Sequence, residues 1–162
     1  MHGCVRTGGC LKLAKAIKKA HRVYLCGNGG SAANAIHIAN DLIGCGVRAQ
    51  ALTGDVATLT AVANDFRYEE VFSRQLDVLA ESGDLLVALS GSGRSANILG
   101  GIESARRRGA KTFAIVGEFN VDCPAAVLAD DCIRWGKDMQ DAEEKQLYLG
   151  HKALRWLRNS SS

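Results

Sequence analysis

An α/β fold, with a parallel sheet covered by helices on both faces, is predicted by three features of this 162-residue chain. Short apolar runs alternate with longer helical segments. The central runs are almost continuously apolar. Glycines sit at the junctions. Strands buried on both faces belong to parallel sheets, and parallel pairing needs helical crossovers between strands.

Strands are expected at 22–26, 47–52, 84–89, 111–116 and, with a weaker pattern, 131–135. Helices are expected at 11–20, 31–43, 56–63, 70–80, 95–108, 124–129 and 138–158. Ser31 and Ser95 suit the N-cap position of their helices. Gly109 suits the position just past a helix end. Pro124 suits a first turn. The whole chain, 1–162, reads as one domain: an N-terminal helix within about 9–20, a sheet core over about 22–135 and a closing helix over about 138–158. The polar tail 159–162 reads as a frayed terminus.

Composition narrows the function classes. Hydrophobic residues make up 47% and charged residues 23%, ordinary globular values that exclude disorder. No apolar run approaches the roughly 20 residues that span a bilayer, so no membrane association is expected. The first ten residues carry no apolar h-region, and the expected compartment is the cytoplasm. The net charge of +3 is mild. Lys12, Lys15, Lys18, Lys19 and the run Arg106 to Arg108 read as solvated helix faces, so no nucleic-acid partner is expected. None of the six cysteines forms a Cys-x-x-Cys pair. They read as structural thiols of a reducing compartment.

Two glycine-rich loops carry the first functional signal. Cys26-Gly27-Asn28-Gly29-Gly30-Ser31 and Ser90-Gly91-Ser92-Gly93-Arg94-Ser95 each lead from a strand into a helix. Open α/β sheets bind ligands at the carboxyl ends of their strands. Glycine allows close backbone approach, the helix N-terminus favours an anion, and the hydroxyls of Ser90, Ser92 and Ser95 are further donors. Neither loop matches a dinucleotide fingerprint or a P-loop. A small phosphorylated ligand fits better than a nucleotide. Each loop alone would equally suit a plain strand-to-helix turn.

Two helices carry the second signal. His37 and Asp41 are four residues apart, so they share one helix face. Glu143 and His151 lie on one stripe of the last helix, about 12 Å apart along its axis at 1.5 Å per residue. That separation is long for one small ion, unless Glu143 sits at an irregular start or a neighbouring subunit contributes. His37, Asp41, Glu143 and His151 together offer two imidazoles and two carboxylates. This mixed set suits Zn²⁺ or another divalent ion. It also suits proton transfer between a carboxylate base and an imidazole acid. A solvated polar stripe and a core histidine are the plain alternatives.

These motifs, with Leu59-Thr60-Ala61-Val62-Ala63-Asn64-Asp65, Tyr68-Glu69-Glu70-Val71-Phe72-Ser73-Arg74-Gln75 and Gly150-His151, resemble those of the phosphoheptose isomerases, a group within the sugar isomerase (SIS) domain family. The likeness runs from about 11 to 157, and the N-terminal helical region is shorter than is usual there. The resemblance implies a three-layer α/β sandwich with a flavodoxin-like parallel sheet. It also implies a homotetramer with active sites at subunit contacts, and one divalent metal, Zn²⁺, per site. The implied activity converts sedoheptulose 7-phosphate to glycero-manno-heptose 7-phosphate, a step toward heptose for cell-surface glycans such as lipopolysaccharide.

By the same resemblance, Ser90, Gly91, Ser92 and Ser95 would hold the phosphate, and Asn28, Gly29, Gly30, Ser31, Asn64, Asp65 and Glu143 would line the sugar site. His37, Asp41, Glu143 and His151 would bind the metal, with Asp41 as base and His151 as acid. Three positions depart from the family. Asp41 stands where Glu is usual, Glu143 where Gln is usual, and Gln146 where a His is often found. Asp is one methylene shorter than Glu, and a misplacement of about 1 Å can cost about a hundredfold in rate. A non-catalytic, phosphosugar-binding or regulatory SIS module and an isomerase for another phosphosugar both remain open on these residues.

Overall fold

The computed structural model describes residues 8–160. Five strands form one parallel sheet: β1 (Val23–Cys26), β2 (Ala49–Ala51), β3 (Leu85–Ser90), β4 (Lys111–Val116) and β5 (Asp131–Arg134). Their order, β2-β1-β3-β4-β5, is the flavodoxin-like one. The register pairs Leu25 with Val87 and Val87 with Phe113, so β1, β3 and β4 form a level centre. Every residue of β1 and β3 is buried, which explains their unbroken apolar sequence.

Among the described residues seven helices flank this sheet: α1 (Gly9–Lys19), α2 (Gly30–Gly44), α3 (Val56–Asp65), α4 (Ser73–Leu79), α5 (Ala96–Arg107), α6 (Pro124–Leu128) and α7 (Met139–Asn159). Strand side chains alternate between two cores. Val23, Leu25, Leu85 and Val87 pack with α1, α2 and α7. Tyr24, Cys26, Leu86 and Ala88 pack with α4, α5 and α6. The buried Tyr24 keeps its hydroxyl satisfied by donating to the Leu79 carbonyl at 2.8 Å. Cys26 is fully buried, which pushes its thiol up to about 12 and leaves it inert.

Most predicted elements stand within two residues of their expected bounds. Ser95 is the N-cap of α5 and Pro124 opens α6. Gly109, at φ +82°, follows the end of α5. There its N–H donates to Arg106 and that of Ala110 to Ala105, the paired bonds of a Schellman motif. Three expectations need correcting. The N-cap of α2 is Gly29 at φ +56°, and Ser31 lies inside the first turn, 3% exposed. The expected helix 70–80 is a 3₁₀ turn at Tyr68–Glu70 followed by α4. Helical spacing hid this break, because Val71/Gln75 and Phe72/Leu76 keep i, i+4 pairing across it. In the expected frayed tail, Asn159 completes α7 and the Ser160 hydroxyl donates to Trp156; Ser161 and Ser162 lie outside the described residues. Cys10, Cys26, Cys45 and Cys123 are free thiols, and Cys4 lies outside the described residues. Among the described residues no helix is long and apolar enough to cross a membrane.

The packing of α2 on α7 positions the site. Both helices start at the carboxyl edge of the sheet and run side by side. Gly30 lies against Glu143 and Ile38 against Gly150. His37 meets His151. The Asn34 amide donates to the Glu143 carbonyl at 2.9 Å and to the Gln146 side chain at 3.2 Å. A Cβ at Gly150 would stand 2.7 Å from Ile38 Cγ1, so only glycine permits this spacing.

Gly150→Ala gains helix propensity but overpacks against a buried isoleucine, and overpacking costs about 1–3 kcal/mol. The expected net loss is about 1 kcal/mol in urea unfolding, with partial recovery when Ile38→Val is added.

Candidate active site at the carboxyl edge of the sheet

The two glycine-rich loops flank the point where strand order reverses, between β1 and β3. Ligands of open α/β sheets bind at such a switch point. A cavity of about 120 Å³ lies there, lined by Asn28 and Ser31 from the first loop and Ser90, Gly91, Ser92 and Ser95 from the second. Met139 and Glu143 of α7 close its side. A larger cleft, about 490 Å³, lies at the opposite edge of the sheet among Lys12, Lys15, Lys19 and Lys111. Neither glycine-rich loop reaches that cleft, so the smaller cavity is the candidate site.

The serine loop is built to present hydroxyl protons. The Ser90 hydroxyl accepts from the Gly93 N–H at 3.0 Å, and that of Ser92 accepts from the Arg94 N–H at 3.2 Å. A hydroxyl that accepts from backbone keeps its own proton for a ligand oxygen. Ser95 caps α5 by position but makes no side-chain cap bond, so its hydroxyl is free for the same use. Gly93, at φ +67°, turns the loop, and a Cβ there would overlap Cys123 Sγ. Arg94 points away and pairs with the Asp122 carboxylate at 2.7 Å.

The first loop is held by a network that sequence reasoning missed. Asn28 and Asn97 exchange amide hydrogen bonds of 2.9 and 2.8 Å, and the Tyr68 hydroxyl donates to Asn28 Oδ1 at 2.9 Å. Asn97 is 3% exposed, at the start of α5. A polar residue two positions after a capping serine, directly before the core residue Ile98, was the available signal. Asn64 and Asp65, expected in the sugar site, are exposed at the end of α3, where the Asn64 amide donates to Asp65 at 2.8 Å. They do not line the cavity.

Farther along α2 and α7, three side chains converge. His37 Nε2 stands 3.0 Å from His151 Nε2 and 3.4 Å from Asp41 Oδ2, and His151 Nε2 stands 3.7 Å from the same oxygen. Ligands about 2.0–2.2 Å from a tetrahedral ion stand roughly 3.4 Å from one another. The three atoms therefore fit a Zn²⁺-sized ion as they stand. Glu143 is not part of this cluster. The long axial gap noted in the sequence is real, because α7 is regular from Met139 onward and Glu143 stays at the cavity.

The SIS domain family matches residues 9–117. The chain is 42% identical to a phosphoheptose isomerase of Akkermansia muciniphila over 142 residues, covering 83% of this chain and 74% of that protein. It is 44% identical to one from Nitratiruptor sp. over 147 residues, covering 85% and 76%. The structure of a phosphoheptose isomerase from Neisseria gonorrhoeae superposes with a TM-score of 0.89 at 29% identity, covering 94% of this chain and 86% of that one. The chain belongs to the SIS domain family and, within it, to the phosphoheptose isomerase family.

Isothermal titration of chelator-treated protein with Zn²⁺ should show one site per chain. His37→Ala should weaken it by more than the roughly 10–100-fold that changes behind metal ligands cost. For the loop, Asn97→Ala strips Asn28 of both amide bonds. It should raise KM for the phosphosugar about tenfold in steady-state assays while leaving Zn²⁺ affinity unchanged.

Proposed function

We propose that this protein interconverts sedoheptulose 7-phosphate and glycero-manno-heptose 7-phosphate; its relatives are named phosphoheptose isomerases. One observation carries the reading. The serine-lined cavity and the His37–Asp41–His151 cluster lie along one seam, at the head of the paired helices α2 and α7 and two turns farther on. At 1.5 Å per residue, seven residues of α2 and eight of α7 put the cluster roughly 10–12 Å from the cavity. A heptose 7-phosphate has its reacting carbons, C1 and C2, at the end of the chain remote from phosphorus. A ligand gripped by its phosphoryl group can therefore extend those carbons toward the cluster.

In the proposed reaction, Ser90, Ser92 and Ser95 donate to the phosphoryl oxygens and the α5 N-terminus stabilises their charge. The Asp41 carboxylate removes a proton from C1 of the ketose, and His151 gives a proton to the C2 oxygen, producing an enediol. The O1 proton then leaves, a proton returns to C2, and the aldehyde forms at C1. A divalent ion, one per site, held by His37, Asp41 and His151, would polarise the sugar oxygens when bound. We further place the protein in the cytoplasm as a homotetramer. The half-exposed His37 and the exposed Ile36, Ile43 and Tyr148 on the outer sides of α2 and α7 support self-association next to the site.

Asp41→Asn should abolish conversion of sedoheptulose 7-phosphate in a product assay while leaving phosphate affinity nearly intact. An unchanged rate would remove Asp41 as base. Binding of the phosphosugar by the metal-loaded wild type without any turnover would favour a regulatory SIS module instead.

A further inference from the structure

The serine loop, 90–95, rests on the connection between β4 and α6. Three consecutive carbonyls of the loop accept hydrogen bonds from that connection and from the first turn of α6. Gly91 accepts from the Gly117 N–H at 3.0 Å, and Gly93 accepts from the Ala125 N–H at 3.0 Å. Between them, Ser92 accepts from the Asn120 side-chain amide at 3.2 Å. The C=O and N–H of a trans peptide unit point opposite ways. Carbonyls turned to this strap therefore turn the following N–H groups back toward the serine hydroxyls, where Gly93 donates to Ser90 Oγ and Arg94 to Ser92 Oγ. Successive N–H groups on one side of a turn favour an anion, whereas carbonyl oxygens there would repel it.

The three peptide units are not equally secure. Flipping the Ser92–Gly93 unit changes ψ of Ser92 and φ of Gly93. Gly93 stands at φ +67°, and glycine takes either sign of φ at little cost. Flipping either neighbouring unit would drive Ser92 or Arg94 to positive φ, which residues with a Cβ resist. The two secure units are held by backbone donors, and the one that turns easily is held by a side chain. We propose that Asn120 is a positioning residue for phosphoryl binding. Its amide fixes the Ser92–Gly93 unit with the carbonyl outward. That keeps the Gly93 N–H on Ser90 Oγ and leaves the Ser90 proton for the ligand. Asn120 does not itself line the cavity, and its own carbonyl is anchored by the Arg134 side chain of β5. The inference rests on the serine loop being the phosphoryl site.

Equilibrium binding of inorganic phosphate, which needs no turnover, tests this on wild type, Asn120→Ala, Asn120→Asp and Ser92→Ala, with KM and kcat for sedoheptulose 7-phosphate measured alongside. Asn120→Ala should raise the phosphate Kd and KM about tenfold, the effect of losing one hydrogen bond of ordinary strength. Asn120→Asp keeps the shape but sets a carboxylate against the Ser92 carbonyl, so it should raise both at least as far. In both variants kcat should stay within about twofold, because the reacting carbons lie at the other end of the ligand. Zn²⁺ affinity should be unchanged, which shows that the fold is intact. Ser92→Ala should weaken phosphate. If Ser92→Ala weakens phosphate and neither Asn120 variant does, the positioning role is overturned and the serine loop stands as the phosphoryl site. If the Asn120 variants lose kcat or Zn²⁺ affinity as steeply as they raise KM, Asn120 serves the fold alone and the proposal is overturned. If Ser92→Ala leaves phosphate binding unchanged, the loop is not the phosphoryl site and the inference falls with it.

Discussion

The close approach of α2 to α7 is the constraint on which the site depends. Neither helix carries a complete functional group set. His37 and Asp41 come from one and His151 from the other, and they meet because Gly150 leaves room for Ile38. The Asn34 amide adds a polar tie between the same helices, to the Glu143 carbonyl and the Gln146 side chain. A regular helix advances by a fixed 1.5 Å and turns by a fixed angle per residue. Fixing the pair at two rungs therefore fixes the third, and the imidazoles arrive at 3.0 Å without any loop between them.

The seam also separates two electrostatic tasks. At its head, the α2 and α5 N-termini and the serine hydroxyls favour negative charge. Two turns on, imidazole and carboxylate face each other in a half-exposed cluster that favours a cation or a moving proton. A ligand with an anion at one end and exchangeable protons at the other matches that polarity. Glu143 complicates the first half, because it brings a carboxylate into the anion end.

The fold was legible because burial on both faces leaves a plain record: β1 and β3 are unbroken apolar runs bounded by glycine. The position of the serine loop was legible for a similar reason, since it follows directly on the apolar run of β3 and leads into α5. Pairings between distant segments left weaker traces. The Asn28–Asn97 exchange joins residues 69 apart, and nothing local marks either amide as the other's partner. The two roles expected of Glu143 could not be separated from spacing alone, because eight residues along α7 separate it from His151. Asn64 and Asp65 were drawn from a family motif, and their side chains bond to each other at the end of α3.

That helix has a consequence of its own. No residue of α3 is fully buried, and only Leu59, Val62 and Ala63 rest on the core beneath it. Its best local anchor is the Asp55 carboxylate, which accepts from the Thr58 N–H and hydroxyl. Segments with so little buried apolar surface open at a small fraction of the global unfolding free energy. The protein thus combines a rigid floor of strands with one loosely moored wall, and Asn64 and Asp65 ride on that wall.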